Sequence, residues 1–234
     1  DGSQSYRSGF DTGKRVIAPF LWGKKIRRID YLVSTHSRLG NRGGLNFIAE
    51  NFIIKKVWLC DTFAESHTYK DLSTKRNKKG MHTILLHSGF TRDIEGVKVE
   101  VLLHNVPCSE GYRNVQNFFL ALKLSYHDVS FLFVNHNKSC IEELFALDKA
   151  VLRGNVLQVS CSDSTPASNA FLIRSVNPEV VVLATDDKNY HQKISSCDII
   201  EACERSGCEV LRTDRNGAIT TITNGKQLWV KSFK

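Results

Sequence analysis

The sequence lacks a long hydrophobic run, a close pair of cysteines and any internal repeat. No stretch approaches the roughly 20 uncharged residues that a membrane-spanning helix needs, and the first residues show neither a signal-peptide pattern nor a methionine. We therefore expect a soluble segment that begins inside a longer protein. The seven cysteines show no Cys-x-x-Cys spacing and mostly lie in apolar runs, which indicates reduced, buried thiols and not a disulfide framework.

The composition is that of an ordinary globular protein. The 234 residues are 41% hydrophobic and 24% charged, which excludes a disordered chain, a collagen and a coiled coil. This length can build one large core, so we expect a single domain over residues 1–234. No low-complexity linker divides the chain.

The positive charge is concentrated in the first half of the chain. The formal net charge is +8, and residues 1–104 hold 18 Lys and Arg against 10 Asp and Glu, whereas residues 105–234 hold 14 of each kind. Such clustering favours a polyanion such as DNA as partner, because contacts with phosphates release condensed counterions. A solvated basic face with no ligand explains the charge equally well.

Apolar periodicity predicts alternating helices and strands in the first third, then strands in succession, then alternation again. The expected helices are one that Asp11 or Thr12 caps and Gly23 ends, and others at 45–52, 67–79, 141–147, 166–176 and 194–206. The expected strands lie at 29–35, 56–60, 82–87, 97–103, 118–126, 129–135, 156–160 and 180–184, and a terminal meander follows at 208–212, 218–223 and 227–230. The pattern predicts an α/β fold of two mixed sheets with helices outside.

Several strings resemble, in the same order, the C-terminal metallo-β-lactamase-like domain of the ComEC family of bacterial DNA-uptake proteins. The early strings are 11–22 (DTGKRVIAPFLW), 26–36 (IRRIDYLVSTH) and 43–45 (GGL). The later strings are 122–126 (LKLSY), 129–133 (VSFLF), 176–181 (VNPEVV) and 212–219 (RTDRNGAI). The resemblance implies an αββα sandwich whose first strands are missing here. It also implies competence and the bacterial cell membrane as the setting, with a membrane channel domain of the same or a neighbouring protein as partner.

The resemblance identifies the first loop that holds metal in this family. The family spaces its ligands as Thr-His-x-Asp-x-Asp-His-x-Gly-Gly, and residues 35–44 read THSRLGNRGG. Only His36 remains, since Arg38 and Gly40 stand where carboxylates belong and Asn41 stands where the second His belongs. A guanidinium at a ligand position repels a divalent cation.

Three later loops of the family also carry metal ligands, and these loops are altered here too. The family's Gly-Asp, Pro-His-His-Gly-Ser and His-Pro-His-Pro correspond to 134–136 (VNH), 160–164 (SCSDS) and 189–192 (NYHQ). The remaining side chains of ligand type are His136, Cys161, Asp163 and His191.

Two interpretations of these loops follow. In the first, the domain is degenerate, binds no cofactor and lacks metal-dependent hydrolase activity, because His36 and His191 alone are too few ligands. In the second, His36, His136 and His191, with Cys161 or Asp163, hold one Zn²⁺ at a rebuilt mononuclear site, and the protein is an active hydrolase or nuclease. We favour the first interpretation.

The candidate DNA-binding residues are basic side chains of the first half of the chain. Clustered Lys and Arg contact phosphates and carry no base specificity, so we expect non-specific binding to the DNA backbone and no small-molecule cofactor. These residues are Lys24, Lys25, Arg27, Arg28, Arg38 and Arg42.

Overall fold

The computed structural model describes residues 11–34, 42–60, 82–104, 120–135, 143–160, 166–184 and 199–233. A π-helical turn, Gly13–Ile17, leads into the first helix. The helices are α1 (Ala18–Gly23), α2 (Arg42–Asn51), α3 (Lys149–Leu152), α4 (Pro166–Val176), α5 (Ile199–Ser206) and α6 (Thr213–Asn216). The strands are β1 (Arg28–Ser34), β2 (Ile53–Cys60), β3 (His82–Leu86), β4 (Thr91–Ile94), β5 (Val97–His104), β6 (Leu120–Tyr126), β7 (Val129–Asn135), β8 (Val156–Ser160), β9 (Val180–Ala184), β10 (Glu209–Arg212), β11 (Ala218–Thr223) and β12 (Leu228–Phe233).

The chain forms two compact units. The first comprises Asp1–Ser88 and His104–Leu120, and the second comprises Gly89–Leu103 and Ala121–Lys234. None of the helices in the described stretches combines the length and the hydropathy that a bilayer-spanning helix requires.

The first unit is built on the parallel sheet β1-β2-β3. The Asp11 carboxylate accepts a hydrogen bond from the Lys14 amide at 2.9 Å and caps the N-terminal helical segment, as expected. That segment ends at Gly23 as predicted, but the residue with left-handed backbone is Lys25, at φ 60°. Trp58 of β2 is buried, and so is Phe52 just before that strand.

The second unit contains a seven-stranded sheet in the order β10-β9-β8-β7-β6-β5-β4. Strands β7 to β10 are parallel neighbours, and β6 and β7 form the predicted antiparallel hairpin through the corner at His127. Parallel strands read as continuous apolar runs because both of their faces are covered. Leu157 and Val159 of β8 and Val181 and Leu183 of β9 are accordingly buried.

An Asn155 side chain ties together the starts of three strands in this sheet. Its Oδ1 accepts a hydrogen bond from the Ser130 amide at 2.9 Å, and its Nδ2 donates to Glu179 Oε1 at 2.6 Å. Its main-chain carbonyl also accepts from the Glu179 and Val180 amides. These bonds fix the relative register of β7, β8 and β9, on which the geometry of their opposite ends depends.

The C-terminal strands correct one prediction. The expected meander is wrong, because β10 pairs with β9 in the large sheet while β11 and β12 form a separate two-stranded sheet. The described residues thus form two larger sheets, of three and seven strands, and the additional two-stranded sheet β11–β12. The β11–β12 turn instead contacts the β6–β7 corner, where the Asp128 amide donates to the Gly225 carbonyl at 2.9 Å.

Other differences are local. Strand β4 and helices α3 and α6 were not predicted, and β2 begins at Ile53, three residues before the predicted start. The predicted helix at 67–79 lies outside the described residues. Helix α4 and strands β8, β9 and β11 have the predicted bounds.

Candidate functional site

Three parallel strands of the second unit end in one row. In the register of β7, β8 and β9, Asn135 pairs with Ser160, and Ser160 pairs with Ala184. The chain therefore leaves the sheet at the same edge after each strand. In open α/β sheets, ligands bind at the carboxyl ends of the strands, so this row is the candidate site.

The row places the starting points of three predicted ligand loops next to one another. His136 directly follows Asn135, and Cys161 directly follows Ser160. These two residues lie outside the described residues, as do Asp163 and His191, so the structure brings together the strand ends and not the side chains themselves.

The His36 loop starts in the other unit. Strand β1 ends at Ser34, and both His36 and Arg38 lie outside the described residues. The described structure therefore does not join His36 to the row.

No group of three His, Cys, Asp or Glu side chains that could hold a metal ion occurs within the described stretches. The residues of the row are an asparagine, a serine and an alanine, and none of them is a carboxylate or an imidazole. A metal held at this edge has to take its ligands from the loops that follow.

A buried ion pair that the sequence analysis missed lies on the strand beside the row. Arg212 of β10 pairs in register with Leu183, one residue before Ala184. Its Nη2 lies 2.8 Å from Asp214 Oδ2 and its Nε lies 3.1 Å from Oδ1, and the two side chains are only 8% and 11% exposed. The sequence feature that could have indicated this ion pair is the Arg-Thr-Asp string at 212–214, to which the sequence analysis assigned no structural role.

The predicted DNA-binding residues differ in how free their charges are. Lys24, Lys25 and Arg27 are exposed and take part in none of the ion pairs among the described residues. Arg28 instead pairs with Asp30 at 2.9 Å, and Lys55 pairs with the same carboxylate at 3.1 Å.

Asp30 consequently neutralises part of this basic surface. Hydrogen bonds from the Arg28 guanidinium and then from the Lys55 ammonium hold the pKa of the Asp30 carboxyl below its ordinary value. Asp30 is thus ionised at neutral pH and offsets the charge of Arg28. Of the remaining candidates, Arg42 begins α2, and Arg38 is not described.

The second unit also contains a hollow of about 160 Å³. Its lining is mostly apolar, with Gln158 and Thr221 as the polar side chains, and it includes no titratable group. Pockets for small-molecule ligands usually measure about 300–1,000 Å³. The hollow is therefore packing space between β7, β8, β9 and β11 and not a substrate site.

Comparison of sequences gives one informative relative. No known family model matches the chain. The chain is 21% identical over 211 residues to ComE operon protein 3 of Bacillus subtilis (strain 168). The match covers 90% of this chain, which spans about a quarter (26%) of the length of that relative.

Comparison of structures identifies the fold. Tm1679, a metal-dependent hydrolase of the β-lactamase superfamily, matches 87% of this chain and 84% of its own, with a TM-score of 0.56 and 14% identity. YhfI of Bacillus subtilis, a metallo-β-lactamase fold protein, matches 92% and 83%, with a TM-score of 0.50 and 11% identity. CmlA of Streptomyces venezuelae, a diiron β-hydroxylase, matches 80% and 44%, with a TM-score of 0.58 and 11% identity. The chain thus has the α/β fold of the metallo-β-lactamase superfamily, and over most of its length it resembles the metallo-β-lactamase-like domain of the ComEC family.

Proposed function

We propose that this chain is the nuclease-like domain of a ComEC-type DNA-uptake protein and that it contacts DNA without hydrolysing it. The similarity to ComE operon protein 3 supports the DNA-uptake setting, and the fold supports a common origin with metal-dependent hydrolases. Its partners are then the DNA backbone and a membrane channel domain of the same or a neighbouring protein, at the bacterial cell membrane.

The row Asn135–Ser160–Ala184 carries the proposal that hydrolysis is lost. It is the edge at which this type of fold binds ligands, and it presents no carboxylate. Two neighbouring metal ions need bridging anionic ligands, because the ions otherwise repel each other. In the His36 loop, Arg38 and Gly40 take the places of the carboxylates. The residues present therefore do not fit a two-metal centre.

In this proposal, exposed lysine and arginine side chains bind the DNA. Lys24, Lys25 and Arg27 follow one another on the surface within four residues, and their charges are not neutralised by a described carboxylate. Such a cluster contacts phosphates in any sequence context, because phosphate contacts carry no base information.

DNA binding by the chain should be weak, independent of sequence and strongly dependent on salt. If three phosphates are contacted, raising the salt concentration from about 50 to about 200 mM should weaken affinity about 40-fold. Lys24→Glu with Lys25→Glu should weaken binding about tenfold or more at low salt, since it removes two of the three free cations. Fluorescence anisotropy with a labelled duplex measures both effects.

The matched control changes the net charge by the same amount in the other unit. Lys226→Glu with Lys231→Glu alters two lysines beside and within the β11–β12 hairpin and should change the affinity by about twofold at most. Equal losses in the two double variants would show that the net charge, and not this cluster, binds DNA. An affinity that does not change with salt would contradict phosphate contacts altogether.

The purified chain should show no metal-dependent cleavage of plasmid DNA with Mg²⁺, Mn²⁺ or Zn²⁺. The expected result follows from the missing carboxylates, since too few ligands remain to position an activated water. Cleavage that Mn²⁺ stimulates and that His36→Ala abolishes would refute the proposal. Its control is His82→Ala, which changes an exposed histidine of β3.

One observation favours the alternative of an active hydrolase. His136 and Cys161 directly follow Asn135 and Ser160 in the sequence, and these two strand ends are paired neighbours, as a rebuilt mononuclear site with His36 and His191 requires. Three imidazoles suit Zn²⁺ and are poor ligands for Mg²⁺. Stoichiometric zinc in the purified protein, lost in His136→Ala, would favour this alternative.

A further inference from the structure

The N-terminal helical segment consists of the π-helical turn Gly13–Ile17 and α1. Its solvent-exposed side carries apolar side chains where a solvated helix usually carries polar ones. Val16 and Phe20 are four residues apart on the same side of this segment, and Phe20 is 53% exposed. Ile26 and Ile53 are exposed close by, since the Ile53 amide donates to the Arg27 carbonyl at 3.1 Å. We call these four residues, together with Trp22, the apolar cluster.

Two aromatic side chains of the cluster make contacts within the unit and still remain exposed. The Trp22 ring stacks on Phe52 with centroids 5.6 Å apart and an interplanar angle of 9°, yet the residue stays 44% exposed. The Lys24 ammonium lies 5.3 Å from the centroid of the Phe20 ring. Adjacent apolar side chains that remain exposed on a folded unit mark an interaction surface.

Positive charge surrounds the apolar cluster. Between Thr12 and Ile29 the chain has six Lys or Arg residues and no Asp or Glu. Lys14 and Arg15 lie beside Val16, and Lys24, Lys25 and Arg27 lie on both sides of Ile26; all five cations are exposed. The surface therefore has an apolar centre next to five exposed cations, while Asp30 offsets the charges of Arg28 and Lys55 near Ile53.

We propose that this surface docks on a membrane that contains anionic lipids. Aromatic and aliphatic side chains enter the boundary between headgroups and acyl chains, while neighbouring Lys and Arg contact the anionic headgroups. Exposed aliphatic residues distinguish this partner from DNA, because Val16, Ile26 and Ile53 can neither pair with phosphates nor stack on bases. The inference goes beyond the proposed function, since it requires neither DNA nor a metal.

Sedimentation with vesicles tests the proposal. The 234-residue chain should bind vesicles of equal parts phosphatidylglycerol and phosphatidylcholine, and it should bind pure phosphatidylcholine vesicles at least about tenfold more weakly. Val16→Ser with Phe20→Ser should weaken binding to the anionic vesicles about tenfold or more. Both side chains are exposed, so thermal unfolding of this variant should match that of the parent.

The control variant removes equally exposed apolar side chains elsewhere. Ile222→Ser with Trp229→Ser changes a cross-strand pair of the β11–β12 hairpin and should leave vesicle binding unchanged. DNA binding separates the two proposals, because the Val16 and Phe20 variant should keep the parent affinity for DNA, whereas Lys24→Glu with Lys25→Glu should lose both partners. A parent that does not bind anionic vesicles, a Val16 and Phe20 variant that binds them fully, or a loss of DNA binding in that variant would overturn the inference.

Discussion

Gly13→Ala should destabilise the protein by about 3 kcal/mol or more, because it drives a methyl group into another part of the backbone. A Cβ built on Gly13 would lie 2.1 Å from the Gly44 carbonyl oxygen and 2.5 Å from the Gly44 Cα. Both are main-chain atoms of α2. The added methyl group therefore fits only if the N-terminal helical segment that contains Gly13 moves away from α2. Thermal unfolding followed by circular dichroism should show a midpoint lower by about 10 °C.

Gly23→Ala is the matched control, since it adds the same methyl group near the end of α1. A Cβ at Gly23 has no atom within 4 Å, and its φ is not in the left-handed region. This variant should be neutral or stabilise the fold by up to about 1 kcal/mol, because alanine restricts the unfolded chain. Equal midpoints for the two variants would show that the Gly13–Gly44 contact does not form.

The sequence indicated that Gly43 and Gly44 matter but not why. The resemblance placed both glycines at the end of a metal-binding loop. The structure gives Gly44 a packing role that needs no metal, because Gly13 rests against its main chain. Such a contact joins segments 31 residues apart, and no local pattern reveals a distant partner.

Helices and strands with mostly buried side chains were predicted well, because burial appears in the sequence as a run of apolar residues. Strand β9 is a continuous apolar run and β8 is mostly apolar, and α4 has its proline at the first position, where the missing N–H has no cost. Strand β4 was missed because its residues, Thr91–Ile94, are mostly exposed and its strand conformation comes from pairing with β5 at the sheet edge. The predicted meander was wrong for the same kind of reason, since partner choice is a tertiary property.

The candidate site could be predicted only in part. The sequence predicts that altered ligand loops follow β7, β8 and β9, and the strand register adds that these three strands end in one row. The positions of His136, Cys161, Asp163 and His191 depend on loop conformation, which neither apolar periodicity nor strand pairing determines. The exposed apolar cluster was also missed, because the spacing of apolar residues predicts a helix here but does not show which of its apolar side chains stay exposed.

The Arg212–Asp214 pair supports the edge at which the site is expected. The Arg212 backbone is held in place as well, because the Arg212 amide donates a hydrogen bond to Asn216 Oδ1 at 2.9 Å. Two parallel hydrogen bonds hold the guanidinium against the carboxylate in a nearly dry setting. Removal of either partner takes away two hydrogen bonds and the opposite charge from a side chain that stays buried.

Arg212→Ala should therefore cost about 3–5 kcal/mol of unfolding free energy, which urea denaturation measures. The double variant Arg212→Leu with Asp214→Leu should cost less than Arg212→Ala, since it removes both buried charges together. Arg205→Ala is the control, because it breaks an exposed pair with Glu201 one turn away on α5, with side chains 66% and 58% exposed. That loss should stay below about 1 kcal/mol. Similar costs for the Arg212 and Arg205 variants would show that the Arg212 pair is solvated, and the edge beside Ala184 would then need another support.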